Sequence, residues 1–402
     1  MNRCQRAVAL AAAIGMTVLL AACQHTPSPP PESTAVLDTY RAQYADLPAF
    51  SALSAAQQEN YDALFTAVTE RLDVDTVVQG GEESAAESLG LRVELPRELS
   101  DGTQVATLYH AFITDNPQFF YIGSTYTYEG YKVGDKAHYN VLYLTLTMNA
   151  AERREASAHL ETTVETVLAG LSDKTAWEKE LALHDRLIAR CRYDDEAAAS
   201  PSPDTEHPFA FTAYGALVEG RAVCEGYARA FQLLCRRAGI PCTTVNGVDL
   251  SNNTAHMWNL VTLEGRRYHV DVTWDDQLDT ALHVYFNLTT EEITRTHRLD
   301  ADSPGQDCTD TAAGYYRTSL RYQERYDREA IAKAVAQEVL AGATVVELQF
   351  APDKLASIGL FVKNRTWFSE SVNAHLPKGV TLWDYDFHTY SQYGVLVLCR
   401  RK

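Results

Sequence analysis

A cysteine, a histidine and an aspartate stand in that order at Cys224, His256 and Asp271, spaced C-x31-H-x14-D. These three residue types divide the labour of nucleophilic catalysis: a thiolate attacks, an imidazole moves the proton, and a carboxylate orients the imidazole. Upstream of Cys224, Gly220-Arg221-Ala222-Val223 has no helical periodicity. Downstream, Tyr227, Phe231, Leu234 and Ala238 recur at helical spacing until Gly239-Ile240-Pro241 stops the helix. The thiol is therefore expected in the first turn of a helix. There the positive end of the macrodipole and unpaired N–H groups favour thiolate over thiol, and the same N–H groups suit an oxyanion.

His256 and Asp271 fall on two strand-like runs, 255–263 and 266–274, joined by Glu264-Gly265. A two-residue loop sets Leu263 opposite Arg266 and Trp258 opposite Asp271. His256 and Asp271 then share one face as diagonal neighbours. A three-residue loop would put them on opposite faces, because side chains alternate with period two.

Each residue alone has a plainer reading. A lone cysteine near a helix start usually packs, and a histidine in an aromatic strand is usually a satisfied half-buried group. An aspartate within Val270-Asp271-Val272 is less ordinary, since Asp is depleted in strands and costly to bury unpaired. Taken together, the three in compatible local structure point to catalysis.

Three blocks carry a resemblance: VCEGYA at 223–228, HMWN at 256–259 and YHVDVTWDD at 268–276, followed by YFNL at 285–288. Over about residues 172–300 they resemble the bacterial branch of the transglutaminase-like superfamily, of papain-like fold. The resemblance implies an α+β core in which a helix carrying the cysteine packs on an antiparallel sheet carrying the histidine and aspartate. It implies Cys224 as nucleophile, His256 as general base and acid, and Asp271 as the orienting carboxylate. Tyr214, Glu225, Trp258, Asn259 and Trp274 are carried as supporting site residues. Tyr214 is a weak candidate oxyanion donor for which core packing is the alternative. The family covers peptide hydrolysis, amide transfer, deamidation and some inactive scaffolds.

The elements that must position this core divide the chain as follows. Residues 1–22 read as a lipoprotein signal peptide and 23–34 as a Pro- and Ser-rich tether. An N-terminal α+β region, 35–148, is expected to hold helices at 57–72 and, capped by Ser100, up to 114. Its strands are expected at 119–122, 125–131 and 139–147. Asn149 with Glu152 opens a connecting helix, 149–171. The catalytic core, 172–300, begins with a helix capped by Ser172 and running to 190. A linker, 301–320, leads to a small α/β or α+β C-terminal accessory domain, 321–402. In it helices are expected at 327–341 and 352–362, and strands at 344–350, 380–386 and 394–399.

The 402-residue chain carries a formal charge of −18, and loss of a leader bearing Arg3 and Arg6 makes it −20. That argues against nucleic-acid binding and against electrostatic attraction to anionic lipid. The apolar stretch 7–22 is too short for a confident span and ends Leu20-Ala21-Ala22-Cys23, which resembles a bacterial lipobox. The expectation is a lipid on Cys23 and an extracytoplasmic, membrane-anchored protein. Cys191, Cys235, Cys242, Cys308 and Cys399 are odd in number and imply no complete disulfide framework, a Cys235–Cys242 bridge being the weaker alternative to packing. With no CxxC or HxxxH pair, neither a metal nor an organic cofactor is implied.

The expected function is acyl transfer or hydrolysis at amide bonds of proteins or peptides, cell-wall peptides among them. The alternative is a non-catalytic, lipid-anchored binding or assembly protein on the same scaffold. A papain-like cell-wall peptidase of another branch fits less well, because the histidine-to-aspartate hairpin is short.

Overall fold

The computed structural model describes residues 47–79, 87–200, 206–278 and 280–401. The signal peptide, the Cys23 lipidation site and the tether lie outside the described residues. The fold is α+β, with three four-stranded sheets following one another along the chain.

The first sheet runs in the order Val77–Gln79, Glu87–Leu99, Lys136–Leu146, Ile122–Val133, all antiparallel. The strand Glu87–Leu99 was not expected. Its Leu91, Val93 and Leu95 alternate into the core, but Pro96 interrupts the pattern, and the ladder shifts register there, between Glu94 and Leu99. Helices Ala55–Glu70 and Gly102–Asp115 cover this sheet. The first opens on a capping box between Ser54 and Gln57. The second is capped by Asp101, whose carboxylate accepts the Gln104 N–H, and not by Ser100.

The expected box between Asn149 and Glu152 opens helix Ala150–Leu168. The next helix, Ala176–Arg190, starts at Thr175, not Ser172, because Thr175 makes the reciprocal box with Glu178. Helix Cys224–Arg237 lies between it and the second sheet, ordered His297–Leu299, Cys242–Asp249, Thr254–Leu263, Arg266–Val270 and wholly antiparallel. Tyr227, Phe231 and Leu234 of this cysteine helix are fully buried, in one continuous apolar core with Trp258, Val261 and Val270 of the sheet and Tyr61, Leu108 and Phe112 of the N-terminal helices.

The C-terminal sheet orders Tyr322–Gln323, Val345–Phe350, Val395–Arg400 and Tyr385–Tyr390, with helices Arg328–Leu340, Leu355–Lys363 and Arg365–Asn373 on it. It keeps its own core around Ile331, Val335, Leu348 and Phe361. Helix 352–362 is instead a 3-10 turn, Pro352–Lys354, followed by Leu355–Lys363. A further helix, capped by Asn364, was not expected. Strand 380–386 begins only at Tyr385, and the Leu382 N–H ahead of it goes to the Asn373 side chain. No helix among the described residues is long and apolar enough to cross a membrane.

Candidate active site

Cys224 is the first residue of its helix. The preceding Val223 is extended, and no side chain among the described residues caps the helix. Its leading N–H groups are thus left for another acceptor. The close seat of this turn depends on Gly226. A Cβ there would come within 2.6 Å of the Ala210 carbonyl oxygen and of the Ala222 methyl. The same Ala210 carbonyl accepts the Val223 N–H at 2.9 Å.

Farther along, Arg229 and Gln232 donate to the carbonyls of Ile113 and Thr114 at 3.0 Å, and Arg236 donates to that of Asp115. These are the terminal carbonyls of helix Gly102–Asp115, of which only that of Ile113 also accepts a backbone N–H, from Asn116 at 3.4 Å. Three side chains at helical spacing thereby fix the cysteine helix to the N-terminal region. From the other side, the Asn259 amide donates to the Ala228 carbonyl at 2.9 Å and ties the helix to the sheet.

The hairpin register is the one that a two-residue loop requires. Leu263 faces Arg266 and Asn259 faces Val270. Glu264 and Gly265 both take positive φ, 50° and 78°, as a tight primed turn demands. The second strand ends at Val270, short of the expected 274. Asp271 leaves the ladder and caps the short helix Val272–Asp275, its Oδ1 accepting the Trp274 N–H at 3.1 Å. The aspartate is therefore one residue beyond the sheet. Capping explains an Asp in what looked like a strand.

Asp271 is fully buried. Its other oxygen, Oδ2, accepts from His256 Nε2 at 2.6 Å. That leaves the opposite ring nitrogen of His256 for the Cys224 thiol, whose charge acts on the ring. Burial opposes charge on both groups, but each overcomes it in the other. Asp271, and then Cys224, raise His256 well above its ordinary value, while His256 and His297 hold Asp271 well below the usual carboxylate range. The pair is a buried imidazolium–carboxylate.

The sequence reading missed His297. Its Nε2 reaches the same Asp271 oxygen at 3.0 Å, and its Nδ1 lies 2.8 Å from the Thr296 hydroxyl. That hydroxyl is 2.7 Å from the hydroxyl of Tyr393 in the C-terminal region. His256, Asp271 and His297 are all metal-ligand types, with ligand atoms within 4.8 Å, and the two histidine nitrogens that face the carboxylate meet on its Oδ2. Tyr193 was also missed. It lies at the rim, where burial, and after it the Cys224 and nearby carboxylate charges, push its hydroxyl up.

The supporting residues separate. The Trp258 ring stacks at 5.9 Å on His256, and its indole N–H donates to His269 Nδ1 at 3.0 Å. Trp274 stands 6.1 Å from His256 and 4.6 Å from His297, walling the site. Glu225 pairs with Arg229 at 2.8 Å. Tyr214 stacks on Phe120 at 4.5 Å and packs on Phe209 at 5.1 Å. Cys191, Cys235, Cys242, Cys308 and Cys399 are all free thiols, and no Cys235–Cys242 bridge forms.

A helix-borne cysteine facing a histidine and an aspartate across an antiparallel sheet defines the transglutaminase-like, papain-like fold class. Residues 161–272 match the family model described as Transglutaminase-like superfamily, so this part of the chain is a transglutaminase-like domain. Among curated proteins, the kyphoscoliosis peptidase of Mus musculus is 35% identical over 116 residues, covering 26% of this chain and 17% of that protein. The kyphoscoliosis peptidase of Homo sapiens is 39% identical over 85 residues, covering 18% and 13%. The chain thus spans less than a fifth of the length of these relatives. A solved structure of a TGase is 15% identical, covering 46% of this chain and 50% of that one, with a TM-score of 0.27.

Proposed function

We propose that the protein is a thiol enzyme that performs acyl transfer or hydrolysis at amide bonds of proteins or peptides. The observation that carries this is His256, hydrogen-bonded through Nε2 to the buried Asp271 and near enough to Cys224 at the start of its helix for the thiol's charge to act on the ring. In the proposed reaction the Cys224 thiolate attacks the amide carbonyl carbon, and the tetrahedral oxyanion rests on the uncapped N–H groups of the cysteine helix. His256 gives its proton to the departing amine, leaving a thioester. Water, deprotonated by His256, or a second amine then releases the acyl group. Asp271 keeps the ring in register and stays ionised. We favour hydrolysis, since water needs no acceptor site and the curated relatives are described as peptidases.

The lipobox-like Leu20-Ala21-Ala22-Cys23 supports a lipid-anchored, extracytoplasmic protein acting on surface proteins or cell-wall peptides. The test is to incubate the full chain with glutamine-containing peptides and with cell-wall peptides, with and without a primary amine, and to read products by mass spectrometry. Hydrolysed or aminated product that vanishes in Cys224→Ala is expected. No product, together with no thioester on Cys224, overturns the proposal in favour of a non-catalytic binder.

A further inference from the structure

A second cluster of histidines and carboxylates lies apart from the cysteine site. His184 and Asp185 are neighbours on helix Ala176–Arg190, His283 precedes the YFNL segment, and Glu347 belongs to strand Val345–Phe350. Each imidazole has one nitrogen committed to an outer carboxylate: His184 Nε2 to Asp275 at 3.2 Å, and His283 Nδ1 to Glu347 at 2.7 Å. Those carboxylates are themselves held. Asp275 accepts the Tyr285 N–H at 3.0 Å, and Glu347 accepts the His283 N–H at 3.0 Å and the Tyr316 hydroxyl at 2.8 Å. The two remaining nitrogens, His184 Nδ1 and His283 Nε2, converge on one oxygen, Asp185 Oδ1, at 2.9 and 3.0 Å. Asp185 and His283 open onto a cavity of about 290 Å³, also lined by Thr280, Tyr315 and Arg321.

We propose that His184 Nδ1, His283 Nε2 and the Asp185 carboxylate form a binding site for a divalent first-row transition-metal ion, with its remaining ligand positions facing the cavity.

Three observations carry this. The donor set is two imidazoles and one carboxylate, with donor atoms within 4.8 Å of one another. Zinc bonds to such ligands at about 2.0–2.2 Å, so tetrahedral ligand–ligand edges are roughly 3.3 Å, and the observed pair needs to open by only a few tenths of an ångström. Each imidazole is already aimed by an outer carboxylate, the arrangement that fixes tautomer and orientation in histidine–metal sites. The charge also balances. An ionised carboxylate only accepts, so without metal all four nitrogen–carboxylate contacts require N–H groups and both rings are imidazolium. A divalent ion replacing the two inner protons leaves the net charge of the buried cluster unchanged, and two protons depart to solvent. Arg321, on the cavity wall, is neutralised by its fork on Glu338 at 2.8 and 3.2 Å. The ligands are a His-Asp dipeptide and a histidine 98 residues after that aspartate, which no short motif spacing reveals.

The experiment is zinc titration of the chelator-treated full chain against a chromophoric competitor, with calorimetry in two buffers of different ionisation enthalpy. One zinc per chain and release of up to two protons are expected. Asp185→Asn and His283→Gln should each weaken binding by roughly 100-fold or more, while His256→Gln leaves it intact. Cobalt should give a visible ligand-field spectrum that His283→Gln abolishes. Thermal melts without metal show whether each variant folds, and the partly exposed Asp185→Asn keeps the test decisive if a histidine variant does not. No zinc bound at micromolar concentration, or binding that survives Asp185→Asn, or binding lost in His256→Gln, overturns the proposal. The cluster is then a proton-bridged ion-pair chain joining the core to the C-terminal sheet.

Discussion

His297 and His256 meet on a single oxygen of Asp271, at 3.0 and 2.6 Å. The carboxylate that orients His256 is therefore itself held from the far side, and that hold runs on through Thr296 to Tyr393 of the C-terminal region. The ring nitrogens of His297 are engaged on Asp271 and on the Thr296 hydroxyl. His297 acts through Asp271, as a positioning residue.

Removing it should have a graded effect. His297→Leu takes away one charge-assisted bond and leaves a fully buried carboxylate less well satisfied, a change of about 1.5–3 kcal/mol for such a bond. Cys224 alkylation near neutral pH should slow roughly ten-fold or more, and its pH profile should shift. His297→Gln, which retains a donor, should recover most of the rate. A purely structural role for His297 would lower the melting temperature in His297→Leu and leave the pH profile unmoved.

How the sequence disclosed this site is uneven, for physical reasons. Glu264-Gly265 was readable because a two-residue turn needs positive φ at both positions and fixes register by counting, which put His256 and Asp271 on one side. The end of that strand was not readable. Val270-Asp271-Val272 alternates like a strand, and only the three-dimensional path shows Asp271 leaving the ladder to cap a turn. His297 was invisible because it arrives on a three-residue strand paired with Gly247–Asp249, about fifty residues away, and its neighbours Thr296 and Arg298 spell no motif. Helix starts were misplaced where two capping residues stand close together: Ser100 beside Asp101, and Ser172 three residues before Thr175.

The bond from Asn259 to the Ala228 carbonyl crosses from the sheet to the cysteine helix. Asn259→Leu removes that buried side-chain bond, while the carbonyl keeps its place in the helix. It should cost on the order of 1 kcal/mol in chemical denaturation. Cys224 alkylation should slow with it, because the helix loses one of its fixed points.

Gly226→Ala sets a methyl 2.6 Å from the Ala210 carbonyl and the Ala222 methyl, at the turn that bears the thiol. Alanine is otherwise the better helix former by about 1 kcal/mol, so propensity alone predicts stabilisation. The contacts predict the reverse: a lower melting temperature and weaker alkylation of Cys224. A stabilised, fully reactive variant would refute the close seat described for this helix.

Glu180 gives a pH prediction with a definite sign. It is fully buried, its Oε2 accepts from Asn287 at 2.9 Å, and its Oε1 has no partner among the described residues. Burial raises its carboxyl from 4.5 to about 8. Because the folded value is the higher one, the unfolded chain ionises first, and stability is lost as pH rises from about 4.5 through 8. Glu180→Gln removes that loss. The variant should match wild type near pH 4 and exceed it at pH 8.5 by on the order of 1–3 kcal/mol in denaturant melts. An advantage that does not change with pH would contradict this reading.

The central claim is that Cys224 is activated by His256, and the most direct measurement is the rate of Cys224 alkylation across pH, with iodoacetamide, in wild type and in His256→Ala. Mass spectrometry would assign the label to Cys224 among the free thiols. The account predicts fast labelling at and below neutral pH that falls by at least about ten-fold without His256, since the imidazolium is the charge that favours the thiolate. Slow labelling that rises only at alkaline pH and is unchanged in His256→Ala would contradict it.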